Sequence, residues 1–495
     1  MKFLEKLHSA ILENKERNAF LFDEVFYTYS DLAECISRIR KSIQKEVPEE
    51  EKIIGLIALD DLETYAAIIA LWFEGKAYVP LSPKNPADRN RNVISLAGIK
   101  TVLDSSDEPI FPECNVIQTK KLPDSDIDSA PKNVDGNELV YILFTSGTTG
   151  QPKGVPISRA NLDSFIDAFL QVGFKINEQD KCLQSFDLTF DVSVQSFLVP
   201  LLHGACVFTV PINQIKYSYV YGLLVDHELT FGVFAPSMIR HLRPYFDEIN
   251  LPKLRYCILT AEASPVDLVN EWMACIPNSE VFNFYGPTEA TIYCTYYRVE
   301  RTKPIKEANG MLCIGRPFNG ITSLILNENL QKVNQGTKGE MYISGAQLTS
   351  GYWKNQERNK ESFISLPHNG KNEIFYKTGD LCVEDIDGNL LYYGRLDYQV
   401  KIQGFRIELG EIEFHSRASI GGKNAIAFVY DGNGGNPEIA LCFETATFDR
   451  EAILNYLKSK LPPYMIPSKL FNLAEFPLNS SGKIDKNSIK HLLGL

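Results

Sequence analysis

The segment Leu143–Val155, which reads LFTSGTTGQPKGV, concentrates hydroxyl, glycine and lysine residues in a pattern suited to holding a polyphosphate. The hydroxyls offer side-chain donors, the glycines let main-chain N–H groups turn toward phosphate oxygens, and Lys153 supplies positive charge. The other candidate phosphate-binding residues are Thr145, Ser146, Gly147, Thr148, Thr149 and Gly150. After Gly147 the order TTGQPK departs from G-x4-G-K-[ST], so a Walker-type NTPase is disfavoured. A solvated turn before a helix is the alternative interpretation.

Later segments place polar or charged side chains in turns and apolar runs. Asp191 stands in FDVSVQ, where an unpaired charge among apolar residues would be costly. The segment NFYGPTEATI at Asn283–Ile292 joins aromatic, hydroxyl and carboxylate groups, and YKTGDL and GRLD contribute Asp380 and Arg395. Asn, Asp, Gly and Pro are also common turn residues, so each segment taken alone permits a purely structural interpretation.

Alternating helical and strand-like patterns must position these groups. Ser30 and Ser158 are predicted to cap helices, and Ile53–Ala58 and Ala77–Leu81 are predicted strands. Further strand-like apolar runs occur at Ala205–Val210, Phe231–Phe234 and Tyr256–Leu259. This βαβ alternation predicts layered α/β architecture with parallel sheets.

The character of the chain changes after Gly310. From there to Tyr393 the sequence predicts short strands separated by Gly, Asn and Asp turns. We therefore expect an α/β protein whose large N-terminal domain contains two layered α/β sheet subdomains and a small β-rich subdomain. A small, mobile α+β C-terminal domain is expected to follow. The expected domains are residues 1–396 and 397–495, since a chain of this length exceeds a single core.

Composition disfavours several classes of protein. With a net charge of −12, the chain has no overall basic field to attract nucleic acid. The ten cysteines contain no C-x-x-C pair and no cluster with histidine at zinc spacing, so we expect buried thiols in a reducing compartment. Charged residues interrupt the N-terminal segment, and no apolar run approaches the roughly 20 residues that span a bilayer. We expect a cytoplasmic monomer without membrane insertion.

The motifs above resemble, in their order along the chain, those of amino-acid adenylation domains of the adenylate-forming superfamily. Such domains occur in nonribosomal peptide synthetases and as D-alanine–carrier protein ligases. The resemblance covers nearly the whole chain, because other segments match the same pattern. These segments are YTYSDLAE at Tyr27–Glu34, GKAYVPLSPKNPADR at Gly75–Arg89, GEMYISG at Gly339–Gly345, GRLDYQVKIQGFRIELGEIE at Gly394–Glu413, LPPYMIP at Leu461–Pro467 and NSSGKIDK at Asn479–Lys486.

The resemblance implies roles in binding ATP and Mg²⁺. The glycine-rich loop with Lys153 would cover the β- and γ-phosphates, and Lys483 matches the catalytic lysine that binds the substrate carboxylate and the α-phosphate region. Glu289 matches the Mg²⁺ ligand, and Thr288 matches an α-phosphate contact. The remaining implied contacts are Asn283 and Tyr285 for adenine, and Asp380 and Arg395 for the ribose.

Asp397 matches the hinge between the large and small domains. Rotation about this hinge would withdraw Lys483 after adenylation and would present Gly404 and its neighbours to an incoming thiol. The resemblance thus implies that one small domain serves two successive half-reactions.

Asp191 matches the aspartate that pairs with the substrate α-ammonium group in amino-acid-activating members. Acyl-CoA synthetases and luciferases have no ammonium group to neutralise and lack this pairing residue. The other implied pocket residues are Val192, Gln195, Val233, Ile258, Thr260, Phe284, Ile292 and Tyr293. Two aromatic rings take up volume and two polar side chains add hydrogen-bonding groups, which fits a small or medium substrate side chain better than tryptophan.

The implied activity is ATP-dependent conversion of an amino acid to aminoacyl-AMP with release of pyrophosphate. Because the chain ends at Leu495 without a condensation or carrier domain, we expect a freestanding ligase that loads the phosphopantetheine thiol of a separate carrier protein. D-alanine–carrier protein ligase is a specific alternative, which Val192 and Gln195 do not decide. An acyl- or aryl-CoA synthetase is disfavoured by Asp191. A catalytically silent binding protein is disfavoured because residues from all the motifs are present together.

Overall fold

The computed structural model describes residues 2–126, 130–147, 150–397, 399–432, 435–478 and 484–495. The chain divides into two compact units. The first unit comprises Met1–Ser82, Ile94–Leu143 and Gly154–Leu396, and the second comprises Pro83–Val93, Phe144–Lys153 and Asp397–Leu495. The second unit therefore includes the glycine-rich loop and a short earlier segment, both of which the sequence analysis assigned to the N-terminal domain. The functions expected for domains 1–396 and 397–495 stay predictions.

Helices occur throughout both units. Numbered along the chain, they are α1 (Phe3–Glu13), α2 (Tyr29–Glu46), α3 (Leu62–Phe73), α4 (Ala87–Ala97), α5 (Arg159–Leu170), α6 (Asp191–Leu201), α7 (Lys216–Asp226), α8 (Pro236–Leu242), α9 (Val266–Cys275), α10 (Gln356–Ser362), α11 (Leu409–Ser419), α12 (Arg450–Lys460) and α13 (Lys486–Leu492). Within the described ranges, no helix is both long enough and apolar enough to cross a membrane.

Most strands precede Leu396. They are β1 (Asn18–Phe22), β2 (Val25–Thr28), β3 (Ile53–Ile57), β4 (Ala77–Leu81), β5 (Thr101–Asp104), β6 (Asn115–Gln118), β7 (Leu139–Thr145), β8 (Lys153–Ser158), β9 (Lys181–Gln184), β10 (Cys206–Thr209), β11 (Phe231–Phe234), β12 (Tyr256–Leu259), β13 (Glu280–Tyr285), β14 (Thr295–Val299), β15 (Glu307–Ala308), β16 (Met311–Leu312), β17 (Arg316–Pro317), β18 (Ile321–Leu326), β19 (Gly339–Gly345), β20 (Phe363–His368), β21 (Lys371–Glu384) and β22 (Leu390–Arg395). The later strands are β23 (Gln399–Ile402), β24 (Phe405–Glu408), β25 (Ala425–Asp431), β26 (Pro437–Glu444) and β27 (Lys469–Leu473).

Two large sheets and a smaller antiparallel sheet organise these strands. The nine-stranded sheet has the order β17-β14-β13-β12-β11-β9-β10-β1-β2, and its strands from β13 to β1 pair in parallel. The six-stranded sheet has the order β6-β5-β3-β4-β7-β8, with parallel pairing from β6 to β7. Strands β18 to β22 form the antiparallel sheet. Ligands of parallel α/β sheets characteristically bind at the carboxyl ends of the strands, which directs attention to the ends of β11, β12 and β13.

Helices α3 and α6 form the centre of the largest apolar core. Their apolar side chains are buried, as expected for helices that are apolar all round. Trp72 of α3 stacks on Phe197 of α6 with ring centroids 6.0 Å apart, and Tyr65 meets the same ring edge-on at 5.3 Å. The start of α6, where Asp191 lies, is therefore fixed by packing along the rest of the helix.

The helix caps test the predictions directly. Ser158 caps α5, and its side chain accepts a hydrogen bond from the Asn161 N–H, so this prediction is confirmed. The predicted cap Ser30 is wrong, because α2 begins two residues earlier and Thr28 caps it. Thr28 is the cap because the Asp31 carboxylate, at the third helical position, accepts a hydrogen bond from the Thr28 N–H and completes a capping box.

The C-terminal part of the second unit is a small α+β assembly. Strands β23 and β24 form an antiparallel hairpin, and β25, β26 and β27 form a separate sheet. Its core contains Ile407, Ile412, Leu441, Leu457 and Met465, all buried. Together with the sheets of the first unit, this assembly confirms the predicted fold class.

Candidate functional site

The glycine-rich loop joins β7 to β8. Thr145 ends β7 and its hydroxyl donates to the carbonyl oxygen of Lys153, 3.4 Å away, where β8 begins. A Cβ atom at Gly147 would collide with the carbonyl oxygen of Gln151, and Gly150 has a φ of +78°, which favours glycine. Both glycines are therefore required by the backbone path. Thr148 and Thr149 lie outside the described residues.

Donor groups of this loop are bound by residues of the GFRIELGEIE segment, within the second unit. The Lys153 ammonium lies 3.1 Å from the Glu408 carboxylate, and both side chains are buried. The Gly147 N–H donates to Glu411 over 3.3 Å. The Ser146 hydroxyl donates to the carbonyl oxygen of Arg406 and accepts from the Glu408 N–H. These donors thus already bind anionic or carbonyl oxygens, the acceptor type that phosphate also provides.

The two carboxylates have further partners. Arg89 lies 2.5 Å from Glu411, and its segment Pro83–Val93 belongs to the same unit. The Gln399 side-chain amide donates to Glu408, while its carbonyl oxygen accepts from Arg406. Buried charges need such partners, because an unpaired carboxylate in an apolar interior is strongly destabilising. The loop and the GFRIELGEIE segment therefore form one connected polar network.

In the first unit, the candidate ribose-binding residues converge at the end of β13. The Tyr285 hydroxyl donates to one oxygen of Asp380, and Arg395 donates to the other over 2.8 Å. Asp380 and Arg395 are directly paired residues of β21 and β22. Burial, followed by the nearby Asp380 carboxylate, raises the pKa of Tyr285 well above its usual value, so the hydroxyl keeps its proton and can donate. The structure thus brings these three predicted residues together.

Asn283 has its side-chain amide engaged within the protein. Its carbonyl oxygen accepts from the Ser264 hydroxyl at 2.9 Å, and its NH2 group donates to the Cys313 carbonyl oxygen at 2.9 Å. The residue is buried on β13, two positions before Tyr285. A role of this side chain in reading adenine stays a prediction, and its present partners favour a structural role.

Glu289 lies in a short 3-10 helix, Thr288–Ala290, and is fully buried. The Tyr352 hydroxyl donates to its carboxylate over 2.7 Å, and the Tyr376 hydroxyl lies 3.4 Å from that of Tyr352. The described residues include no group of three or more His, Cys, Asp or Glu side chains placed to hold a metal ion. A single oriented carboxylate fits Mg²⁺, which binds through one or two carboxylates together with phosphate oxygens.

The chain crosses itself closely just after β13. A Cβ atom at Gly286 would lie 2.6 Å from the Cα of Tyr293 and closer still to the carbonyl oxygen of Ile292. Thr291 and Ile292 have positive φ values of 55° and 71°, which β-branched residues rarely adopt. The buried Gln347 side chain stabilises this turn by donating to the Tyr293 carbonyl oxygen over 2.7 Å.

The candidate amino-acid pocket begins on α6. Asp191 is the first residue of this helix and is buried. Val192 follows it in the main core. Gln195 lies one helical turn after Asp191, so both side chains share one face of α6.

The remaining pocket residues come from strand ends and the crossing turn. Val233 of β11 pairs with Ile258 of β12, and both belong to the core that contains Phe284, Ile292 and Tyr293. Phe284 and Tyr293 meet edge to face with ring centroids 5.1 Å apart. Thr260 follows directly after β12 and is buried. The substrate-pocket residues that the sequence predicted are all buried within the first unit.

The Tyr293 side chain interacts with the polar residues among the predicted pocket residues, namely Asp191, Thr260 and Gln195. Burial raises the pKa of Tyr293 well above its usual value, the Asp191 carboxylate raises it further, and a hydrogen bond with Thr260 lowers it. The Tyr293 hydroxyl also donates to the Gln195 carbonyl oxygen over 3.5 Å. The aspartate, the threonine and the glutamine therefore all act on one phenol group.

Some buried polar atoms near this set have no hydrogen-bond partner among the residues that the structure describes. They include the Gln195 amide nitrogen and the hydroxyl oxygens of Tyr78 and Tyr141. Tyr78 of β4 pairs with Tyr141 of β7, and burial followed by the Asp191 carboxylate raises the pKa of both. A buried donor without a partner costs about 1–3 kcal/mol. Such atoms are candidates for ligand contacts.

Of the two residues expected to act between the half-reactions, the structure describes Asp397, which lies in the second unit. Asp397 is exposed, and its carboxylate accepts from the Gln399 N–H over 3.1 Å. Lys483 lies outside the described residues. The hinge role and the catalytic lysine role therefore stay predictions.

Three buried tyrosines were not among the site residues predicted from the sequence: Tyr352, Tyr78 and Tyr141. Tyr352 stands in SGYWKN, Tyr78 stands in the segment Gly75–Arg89, and Tyr141 stands two residues before the glycine-rich segment Leu143–Val155. Tyr352 is recognisable as a site residue by its contact with the Glu289 carboxylate. The sequence does not reveal this contact, because the two residues are 63 positions apart and meet only in the folded chain.

Comparison with known proteins defines the class of this enzyme. The AMP-binding enzyme family matches residues 7–353, more than half of the chain, and the chain therefore belongs to that family. This is the adenylate-forming class of ligases that the motifs resemble. Its relatives include synthases that match almost the whole length of this chain.

The chain is 32% identical over 508 residues to a linear gramicidin synthase polypeptide of Brevibacillus parabrevis, covering 98% of this chain and 10% of that protein. It thus spans about a tenth of that relative. It is 30% identical to zwittermicin A synthase ZmaJ of Bacillus cereus, covering 98% of this chain and 93% of that protein. Among solved structures, the Vibrio cholerae adenylation domain AlmE in complex with glycyl-adenosine-5'-phosphate matches with a TM-score of 0.87 and 25% identity, covering 99% of this chain and 97% of AlmE.

Proposed function

We propose that the chain activates an α-amino acid with ATP, forms aminoacyl-AMP with release of pyrophosphate, and loads the phosphopantetheine thiol of a separate carrier protein. Asp191 supports this proposal most directly, because it is a buried carboxylate at the start of α6, near Tyr293 and other buried side chains that are predicted to line the amino-acid pocket. The glycyl-adenosine-5'-phosphate in the AlmE complex and the synthase names of the relatives favour the same chemistry.

In the first half-reaction the substrate carboxylate attacks the α-phosphorus of ATP. Asp191 would hold the α-ammonium group, since an opposite charge in a desolvated pocket orients the substrate and compensates its burial. Lys153, with the Gly147 N–H and the Ser146 hydroxyl, would bind phosphate oxygens. Because these donors now contact the GFRIELGEIE segment, phosphate binding requires that the contacts to Glu408 and Glu411 be exchanged for contacts to ATP. Lys483 would bind the reacting carboxylate.

Asp380 would accept hydrogen bonds from the ribose hydroxyls. A carboxylate has about four acceptor positions, so it can keep its bonds to Tyr285 and Arg395 and still accept from a ligand. Tyr285 and Arg395 would hold the carboxylate in one orientation, which lowers the cost of ordering it when ATP binds.

Glu289 would be the protein ligand of Mg²⁺, with Thr288 beside the α-phosphate. Bound Mg²⁺ would neutralise charge that develops on the phosphate oxygens. Tyr352 donates to Glu289 and would fix the direction in which its carboxylate points.

In the second half-reaction a thiol displaces AMP from the aminoacyl group. Asp397 would be the residue about which the C-terminal part turns, so that Lys483 serves adenylation and the segment near Gly404 serves transfer. An aminoacyl-AMP supplied from outside should then reach the carrier protein even when Lys483 is replaced by alanine.

Two alternatives are distinguishable. D-alanine–carrier protein ligase is the same reaction with a specified substrate, and it would be favoured by a response to D-alanine alone. An acyl- or aryl-CoA synthetase would use free CoA and an acid without an α-amino group, for which Asp191 has no function.

Amino-acid-dependent ATP–pyrophosphate exchange tests the proposal. The full chain is assayed with each proteinogenic amino acid, D-alanine and a few simple carboxylic acids. At least one amino acid should support Mg²⁺-dependent exchange well above the rate without substrate. Exchange only with acids that lack an α-amino group would overturn the proposal.

A further inference from the structure

We propose that the amino-acid pocket selects a medium-sized side chain with a neutral hydrogen-bond acceptor, and that the side-chain N–H of Gln195 reads this acceptor. This inference rests on the proposed function, because it assumes that an α-amino acid occupies the pocket with its ammonium group at Asp191. It adds the chemistry of the substrate side chain.

The position of Gln195 on α6 sets the distance at which the acceptor must lie. Residues four apart on a helix are neighbours about 5–6 Å apart on the same face. With the α-ammonium group at Asp191, the Gln195 amide is therefore about one helical turn further along the pocket. A substrate that extends from Asp191 toward Gln195 places its second or third side-chain atom beside the amide.

The hydrogen bonds of Tyr293 define which end of the Gln195 amide is left for a ligand. The Tyr293 hydroxyl donates to the Gln195 carbonyl oxygen, 3.5 Å away, and also has a hydrogen bond with Thr260. The carbonyl end of the amide therefore faces the phenol, and the nitrogen is the end without a partner among the described residues.

The Gln195 amide nitrogen has no acceptor in the described part of the chain, although the residue is only 1% exposed. A buried N–H without an acceptor destabilises the empty protein, so a ligand that supplies the acceptor gains the free energy of removing that penalty. An apolar ligand of the same shape leaves the penalty in place. The pocket should therefore discriminate between isosteric side chains that differ only in one acceptor atom.

The other pocket residues limit the size and charge of the side chain. The edge-to-face rings of Phe284 and Tyr293 and the paired strand residues Val233 and Ile258 occupy volume. None of the predicted pocket positions on the first unit is Lys or Arg, so a side-chain carboxylate would lack a counter-charge among them. A neutral hydroxyl or carboxamide on a short side chain fits both limits.

Isosteric amino-acid pairs test the inference in the unmodified chain. Threonine is compared with valine, and asparagine with leucine, by ATP–pyrophosphate exchange over a range of concentrations. In at least one pair, the member with the acceptor should have a kcat/KM at least tenfold higher. If the apolar member is used equally well or better in both pairs, the inference is wrong, while the proposed amino-acid activation stands. If no amino acid supports exchange, the proposed function fails, and the inference fails with it.

Two substitutions assign the effect to Gln195. Gln195→Leu removes the amide, and Gln195→Glu keeps its shape while replacing the donor with an acceptor. Both should reduce the preference within the responding pair to about twofold or less. Gln118→Leu is the matched control, because Gln118 is a glutamine of β6 whose amide atoms are also buried without partners in the described residues. It should leave the preference unchanged.

The variants are checked for folding by circular dichroism and by the rise in melting temperature on adding Mg²⁺-ATP. If both Gln195 variants fold and keep the wild-type preference, another residue reads the acceptor and the assignment to Gln195 is wrong. If neither folds, the wild-type pairs still decide whether the pocket selects an acceptor.

Discussion

The proposed amino-acid pocket and the glycine-rich loop hold their polar groups in opposite ways. Under the proposed function, both regions bind a charged substrate. In the pocket, the Gln195 amide nitrogen is buried without a partner among the described residues. In the loop, Lys153 and Gly147 are bound by Glu408 and Glu411. In the proposed pocket, a ligand that accepts a hydrogen bond from Gln195 would remove the free-energy cost of a buried, unpaired N–H group. In the loop, a phosphate would have to displace the carboxylates of Glu408 and Glu411.

This difference predicts how the free energy of substrate binding arises in each region. An amino acid that fits the pocket gains free energy from groups already in place, so its selection depends on matching the side chain. Under the proposed function, ATP would exchange one set of oxygen acceptors for another, so its net binding energy would be the difference between two similar interactions. Substitutions in the two regions should therefore have separable effects.

The largest expected effect is that of Asp191→Ala. Removing the partner of a buried ammonium group should cost about 3–5 kcal/mol in amino-acid use, measured as kcat/KM in pyrophosphate exchange. The stabilisation of the protein by Mg²⁺-ATP should barely change. Asp187→Ala is the control, because it removes a nearby carboxylate whose observed contacts are to Thr189 in its own turn. Loss of ATP binding with amino-acid binding intact would contradict the assignment.

The second prediction concerns Glu408→Gln in the loop network. Breaking a buried ion pair leaves Lys153 without the Glu408 carboxylate, so the free energy of unfolding should fall by about 3 kcal/mol. Mg²⁺-ATP should stabilise this variant more than the wild type, because phosphate no longer competes with that carboxylate. Thermal melting with and without Mg²⁺-ATP measures both effects. Glu413→Gln removes the partner of Lys486 in the same unit and should lower stability without enhancing the response to ATP.

The third prediction concerns Tyr352→Phe, which removes the donor to Glu289 and keeps the ring. A hydrogen bond to a charged group contributes about 1.5–3 kcal/mol. We expect the Mg²⁺ concentration for half-maximal exchange to rise by roughly tenfold or more, while the KM for the amino acid stays constant. Tyr342→Phe is the control, because the Tyr342 hydroxyl donates to a different carboxylate, that of Glu340, over 3.2 Å. An equal shift in both variants would indicate general disturbance of the core.

The smallest effect is expected for Ser146→Ala. The Ser146 hydroxyl bridges the loop to the Arg406 carbonyl oxygen and the Glu408 N–H, so its loss should reduce stability by about 1 kcal/mol. Amino-acid selection should be unaffected, since the change lies in the loop network. Ser164→Ala on the exposed face of α5 provides the control for loss of a serine hydroxyl. A change in amino-acid preference in Ser146→Ala would show that the two regions are not separable.

Much of the fold could be predicted because it depends on local pattern. The strands at Phe231–Phe234 and Tyr256–Leu259 are short apolar runs between turns, and they occur as predicted. The start of α2 was misplaced because Thr28 and Ser30 are both suitable caps, and only the reciprocal hydrogen bond of Asp31 decides between them. Local propensity thus gives the presence of an element more reliably than its boundary.

The sequence indicated candidate site residues, whereas the interactions among them become visible only in the fold. Asp191, Tyr285 and Asp380 were named from motifs, and the structure places the latter two in contact. The pairing of Lys153 with Glu408 joins positions 255 apart, and the contact of Gln195 with Tyr293 joins positions 98 apart. Such pairs follow from the path of the whole chain, which neither periodicity nor spacing defines.

The close crossing at Gly286 limits how the enzyme can be re-engineered. On one side of this crossing stand Tyr285 and Glu289, which are proposed to handle the nucleotide and its metal, and on the other stand Ile292 and Tyr293, which line the proposed pocket. Substituting Ile292 and Tyr293 in order to change the amino acid that the enzyme accepts would strain this turn, which also positions Tyr285 and Glu289. Exchanges confined to Gln195 and Val233, on separate elements, should retarget the enzyme with less loss of turnover.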